Sequence, residues 1–209
     1  MKRLSLFATK IRAFLGTCLL FAVVLAAMSP AWARHIHGQP SEGLADATVL
    51  IIRHAEKPER GRELNDDGFE RARRYVGFFR QFSVDHERFR ADALYASADS
   101  RDSERPRLTI TPLSQALRLP IDQRFSDSQT KGLAHALRNE AHGRQILICW
   151  HHGEIPKLLR DLGADPDPLL RGDHWPSHVF DWVVVLQYDH EGRLAQARVV
   201  PEDLMPGDR

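Results

Sequence analysis

Cysteine is nearly absent from this 209-residue chain, where Cys18 and Cys149 are the only two. Cys18 falls in an apolar amino-terminal stretch and Cys149 inside a strand-like run. No disulfide is expected to staple the folded domain, and stability has to come from packing. An excess of charge of one sign is also missing. The 29 Lys and Arg meet 28 Asp and Glu, a formal net charge of +1. No global basic field draws the chain to nucleic acid, so a nucleic-acid partner is not expected. Internal repeats and low-complexity runs are lacking too, which leaves an ordinary globular domain. The one extended apolar run, residues 14–28, is short of the roughly 20 residues that a membrane helix needs.

What precedes and follows that run gives it a meaning. Lys2, Arg3, Lys10 and Arg12 stand before it, and Ala31-Trp32-Ala33 supplies a small-x-small cleavage site. Residues 1–33 therefore read as an export signal, and an uncleaved membrane anchor is the alternative. Cleavage would remove four basic and no acidic residues, leaving about 176 residues with a formal charge of −3. That length suits one domain with a real core. Residues 34–46 are polar, with His35, Gly38, Pro40 and Gly43, and are expected to form a flexible segment outside the domain of residues 47–209. His35 and His37 form a His-x-His pair, but with no carboxylate or cysteine beside them they read as a solvated tail rather than a metal site.

Within the domain, apolar runs alternate with helical patterns. A strand ends near Arg53, and Asn65 can cap a helix whose Phe69, Ala72, Val76 and Phe79 fall at helical spacing. On that helix Arg71, Arg73 and Arg74 read as the solvated face. Residues 91–96 form a second strand, 106–117 a helix made doubtful in its middle by Pro112, 119–122 a short extended piece and 128–139 a helix. A strand at 145–150 and a helix at 155–162 follow. Residues 165–176 are expected to be irregular before a hairpin of 179–188 and 195–200, which turns at Asp189-His190-Glu191-Gly192. Such alternation predicts an α/β fold: a three-layer α/β/α sandwich around a mostly parallel sheet.

Two strand ends carry the chemistry. Val49-Leu50-Ile51-Ile52 runs into Arg53-His54, and Ile146-Leu147-Ile148-Cys149-Trp150 runs into His151-His152. In an open α/β sheet ligands bind beyond the carboxyl ends of the strands, and a neutral imidazole beside an arginine can attack phosphorus. Each feature also has a plainer reading: Arg53 could pair with Glu56 at the surface, His151 could be an exposed neighbour of His152, and Lys57 a solvated charge. His174 and His178, flanking Trp175-Pro176-Ser177, could line a pocket mouth or simply pack. Trp150 and Trp182 read as core.

Five motifs in sequence order resemble one family. Arg53-His54-Ala55-Glu56 is similar to the Arg-His-Gly-type signature of the histidine phosphatase superfamily, which includes phosphoglycerate mutases and acid phosphatases. Leu64-Asn65-Asp66-Asp67-Gly68 with Ala72 resembles its Leu-(Ser/Thr)-x-x-Gly-x-x-x-Ala segment. Tyr95-Ala96-Ser97 resembles its Tyr-x-Ser strand end, Arg105 to Thr109 its Arg-x-x-x-Thr element, and His152-Gly153 its second histidine. The resemblance implies a phosphoglycerate mutase-like fold and a phosphatase that needs no metal or cofactor. It implies His54 as the nucleophile, with Arg53, Arg105 and His152 clamping the phosphoryl group; Arg101 is the alternative to Arg105. One branch of the family carries the leaving-group acid as a glutamate before the middle helix, and none stands between Leu113 and Gly132; another carries it just after the second histidine, a spacing that His152-Gly153-Glu154 resembles, which implies Glu154 as the first choice and Asp127 as the second.

The resemblance implies a phosphomonoesterase, and the signal at residues 1–33 adds the expectation that it is exported, to the periplasm, and acts on a small or envelope-linked phosphate ester. Membrane contact is expected only if the signal is retained, and the sequence leaves the oligomeric state open. A non-catalytic phospho-ligand-binding module of the same fold and a phosphoglycerate-type mutase are the competing readings. Export argues against the mutase.

Overall fold

The computed structural model describes residues 43–170 and 172–208. The expected signal and the His35/His37 pair lie outside the described residues. Six strands form the main sheet: β1 (Thr48–Arg53), β4 (Ala93–Ala96), β5 (Ile121–Asp122), β6 (Gln145–Trp150), β7 (Trp182–Tyr188) and β8 (Leu194–Pro201), in the order β5-β4-β6-β1-β7-β8. β5, β4, β6 and β1 run parallel, while β7 is antiparallel to β1 and pairs with β8 as the expected hairpin. A separate two-stranded ribbon, β2 (Ser83–Val84) with β3 (Glu87–Arg88), was not foreseen.

Alternate residues of the central strands feed two cores. Val49, Ile51, Ile146, Ile148, Val184 and Leu186 face α3 (Thr130–Asn139), α4 (Ile155–Asp161) and the short α5 (Pro166–Leu170). Leu50, Ile52, Leu147, Cys149, Val183 and Val185 face α1 (Asp66–Gln81) and α2 (Arg105–Leu117). These are the three layers of an α/β/α sandwich, and buried strands covered on both faces read as near-continuous apolar runs. Cys149 is a buried free thiol among these side chains.

The chain leaves β1 toward one face of the sheet and the neighbouring β6 toward the other. A crevice opens where adjacent strands send their connections to opposite faces, and it lies beyond their carboxyl ends. Arg53-His54 and His151-His152 sit there.

Several expectations are corrected. Leu44 is buried in the first core, so packing begins before Ala47. In α1 the buried side chains are Arg71, Ala72, Tyr75 and Phe79, whereas Phe69 is exposed and Val76 only half-buried. Arg71 leaves the solvated face because buried carboxylates await it. Pro112 does not interrupt α2. β7 starts at Trp182 rather than 179 because the carbonyls of Pro176, Ser177 and Val179 are taken by side chains instead of a strand ladder. Trp182 is half-buried, and Trp175 is the fully buried ring of that stretch. Among the described residues no helix is long and apolar enough to cross a membrane.

Candidate active site

His54 follows β1 and is 2% exposed. Its backbone N–H donates to the Trp150 carbonyl at 3.0 Å, which joins the ends of β1 and β6. Its ring Nδ1 lies 2.7 Å from the Ala55 carbonyl oxygen. A carbonyl can only accept, so Nδ1 carries the proton and the lone pair of the neutral ring sits on Nε2. Burial, opposed by the Ala55 hydrogen bond and assisted by the neighbouring His151 and then by Arg53 and Arg105, holds the His54 pKa down at about 2. The ring is neutral, as a nucleophile must be.

The loop that carries His54 is fixed from three sides. The Ala55 N–H donates to Thr109 Oγ1 at 2.9 Å, and that hydroxyl donates to the Arg105 carbonyl at 2.8 Å. Ala55 packs on Leu64 and Ala72. Asn65 caps α1 by accepting the Gly68 N–H at 2.9 Å. A Cβ on Gly68 would lie 2.3 Å from the Glu56 carbonyl oxygen, so only glycine lets the helix's first turn approach the loop this closely. Leucine, glycine, alanine and threonine of the motifs are thus supports of one loop.

Arg53 is 1% exposed, with its guanidinium 3.7 Å from the centre of the Phe180 ring. Its Nη1 donates to Ser177 O and Val179 O, each at 2.8 Å, and to Pro176 O at 3.3 Å. The stretch before β7 therefore grips one arm of the fork. Burial pulls the Arg53 pKa down to about 10, Glu56 opposing and Arg105 assisting, and it stays cationic at neutral pH. Arg105, the first residue of α2, donates from Nη1 to Gly61 O at 3.0 Å, and burial lowers its pKa.

After β6, the His151 ring stands 5.1 Å and the His152 ring 6.4 Å from that of His54. His151 is pulled down to about 4 by burial, partly opposed by Asp127. It belongs to the cluster rather than to the exposed surface. His152 is lowered by burial and by Arg53, Lys57 and Arg105. Lys57 is exposed, but its charge reaches the site.

Among the described residues, four buried side-chain atoms lack a hydrogen-bond partner: Arg53 Nε, Arg105 Nε, His152 Nδ1 and Ser97 Oγ. An unsatisfied buried polar group costs about 1–3 kcal/mol, and three of these follow or end strands β1, β4 and β6 while the fourth opens α2. All four can donate, and two belong to cations. An oxyanion has the acceptor chemistry that would satisfy them.

The structure brings His54, Arg53, Arg105 and His152 together and leaves Arg101 exposed. The two acids are placed differently. Glu154 lines a cleft of about 690 Å³ beside His152, with Lys157, Arg160, His174 and His178 among the other walls, and its Oε2 is 4.0 Å from Lys157 Nζ. Asp127 is exposed, accepts the Ser128 N–H at 2.8 Å and lends its charge to His151. Neither hydrogen-bonds to His54. Two contributors escaped sequence reasoning in this role, Ser97, whose signal was the Tyr-Ala-Ser strand end, and Phe180, which no local pattern marks; His151, left between a pocket residue and an exposed neighbour, stands with the pocket. Glu56 pairs with Arg71, not with Arg53. Three imidazoles meet here, yet among the described residues no three His, Cys, Asp or Glu side chains are disposed to hold a metal.

No protein-family model matches the chain, and neither does any curated protein sequence. Among solved structures it is similar in fold to several chains at 20% identity or less. One is a candidate SixA phosphohistidine phosphatase from Agrobacterium tumefaciens, at 20% identity and TM-score 0.48, covering 78% of this chain and 99% of that one. A second is the protein histidine phosphatase SixA complexed with tungstate, at 14% identity and TM-score 0.47, covering 74% and 97%. A third is phosphoglycerate mutase from Plasmodium falciparum, at 16% identity and TM-score 0.49, covering 78% and 96%. At these levels the functional reading rests on the chain's own residues.

Proposed function

We propose that the protein is a phosphohydrolase that transfers a phosphoryl group to His54 Nε2 and then to water. The observation that carries this reading is the set of four unsatisfied donors around a neutral imidazole whose Nδ1–H is already committed to Ala55 O. In the first step the Nε2 lone pair forms a bond to phosphorus, the ester P–O bond breaks, and the leaving oxygen takes a proton from a carboxylic acid. Arg53, Arg105, His152 and Ser97 hold the phosphoryl oxygens, where most of the stabilisation of such a transfer arises. In the second step water attacks phosphorus while the carboxylate left by the first step takes its proton, the N–P bond breaks, and phosphate departs with His54 and the acid regenerated.

Glu154 is the preferred acid because it lines the cleft that opens beside His152 and can receive the organic part of the substrate. Asp127 remains the second choice. The export signal expected from the sequence of residues 1–33 is what favours a periplasmic site of action on a small or envelope-linked phosphate ester. Hydrolysis of an aryl phosphate in the presence of a chelator, with His54→Ala alongside, tests the assignment. Turnover by the wild type alone is expected. Phosphate binding without turnover would turn the protein into a phospho-ligand-binding module.

A further inference from the structure

Arg71 is 2% exposed in its side chain and is held by three acidic side chains, Glu56, Glu202 and Asp208. Its Nε and Nη2 donate to both oxygens of Glu56 at 2.7 to 3.1 Å. Nη1 reaches Glu202 Oε2 at 2.9 Å and Asp208 Oδ2 at 3.0 Å, and Nη2 also reaches Asp208 Oδ1 at 2.6 Å. All five N–H groups of the fork are used. The far partners are themselves fixed: Tyr75 donates its hydroxyl to Glu202 Oε1 at 2.8 Å, and Asp208 Oδ2 accepts the N–H groups of Leu204 and Met205. None of these groups takes part in the reaction above, although Glu56 lies two residues beyond the nucleophile.

Glu56 has an alternative partner. Its charge already acts on Arg53, whose Nε is one of the unsatisfied donors. A carboxylate released from Arg71 would find a buried cation with a free N–H close by, and would compete there with the substrate's oxyanion. The segment after β8 and the stretch gripping Arg53 also line one cleft of about 540 Å³, with Glu56, Arg71, Val179, Phe180 and Asp208 in its walls.

We propose that Arg71 is a positioning residue of the phosphoryl site: it occupies both oxygens of Glu56, withholds that carboxylate from Arg53 and so keeps the clamp open for the substrate. Glu202 and Asp208 hold Arg71 at this task. The inference rests on the proposed phosphohydrolase reading.

Equilibrium binding of inorganic phosphate to the full chain tests it. Arg71→Met should weaken phosphate binding by roughly tenfold or more, the scale of one competing charge pair. Adding Glu56→Gln to that variant should restore affinity to within about threefold of wild type, because the competitor is gone. A purely structural role for Arg71 would move the melting temperature and give no such rescue. Unchanged phosphate affinity in Arg71→Met, or no recovery in the double variant, overturns the inference. If Arg71→Met fails to fold, Asp208→Asn takes its place, with a loss of about threefold that Glu56→Gln again reverses. Absence of phosphate binding by the wild type would instead defeat the phosphohydrolase reading, and this inference with it.

Discussion

The imidazoles of His54 and His151 stand edge to face, with centroids 5.1 Å apart and planes at 68°. Two half-buried or buried imidazoles this close, with Arg53 and Arg105 in the same field, cannot both hold protons cheaply. Each therefore stays neutral, and for His54 the Nδ1–H bond to Ala55 O selects Nε2 as the free nitrogen.

Nitrogen-15 NMR of ring-labelled protein, without ligand, should show His54 as the neutral Nδ1–H tautomer down to below pH 4, given a pKa held at about 2. A His54 titration midpoint near the ordinary histidine value would contradict the burial argument.

Arg105 and Arg101 separate cleanly. Arg105→Ala removes a clamp cation with an unsatisfied Nε and should lower kcat/KM by about 100-fold, near 2.7 kcal/mol. Arg101→Ala, on an exposed side chain, should stay within about threefold. Steady-state kinetics on one aryl phosphate decides between them, and the reverse ranking would move the clamp.

Thr109→Val keeps the shape and deletes the acceptor of the Ala55 N–H. Leaving that buried N–H unpaired should cost about 1–3 kcal/mol of stability in denaturant unfolding. A drop in kcat alongside is expected, because the same loop carries His54. A neutral outcome would mean that the loop is held by packing on Leu64 and Ala72 alone.

The leaving-group acid can be read from substrate dependence. Glu154→Gln should slow alkyl phosphates far more than activated aryl phosphates, since only the former need protonation. Equal slowing would move the role to Asp127, with Asp127→Asn then showing the dependence.

Stability should peak near neutrality. His54 and His151, held down at about 2 and about 4, stay neutral when folded, whereas the unfolded chain takes up these protons below about 6.5, so stability falls as pH drops from there. Burial pushes the Glu202 carboxyl up to about 8, so its contribution is present below about 4.5 and is lost as pH rises toward 8. The two histidines outweigh the one carboxyl on the acid side, which puts the maximum near pH 6.5. Thermal melting across pH 4 to 9 checks this, and a plateau rising steadily to pH 9 would contradict it.

Much of this architecture is legible in the residues, for identifiable reasons. β6 matches its expected span of 145–150 because a run buried on both faces leaves an uninterrupted apolar signature, broken only where His151 begins. Gly68, Ala72 and Thr109 were visible as motif letters, although their physical purpose, supporting the Ala55 loop, needed the fold. Arg71 was misread because periodicity counts arginine as polar, and its carboxylate partners Glu202 and Asp208 lie more than 130 residues away. Phe180 and the carbonyls that grip Arg53 were invisible, since backbone acceptors leave no trace in composition. The two-residue strands β2 and β3 are too short to show alternation.

The central claim is the bond between His54 and phosphorus. It is tested most directly by mixing the full chain with an aryl phosphate, quenching in alkali where phosphohistidine survives, and mapping the modified peptide by mass spectrometry. One phosphoryl group on His54, absent in His54→Ala and lost on a timescale matching turnover, is the predicted result. Turnover with no phosphoryl group on His54, or with the group on another residue, would contradict the account.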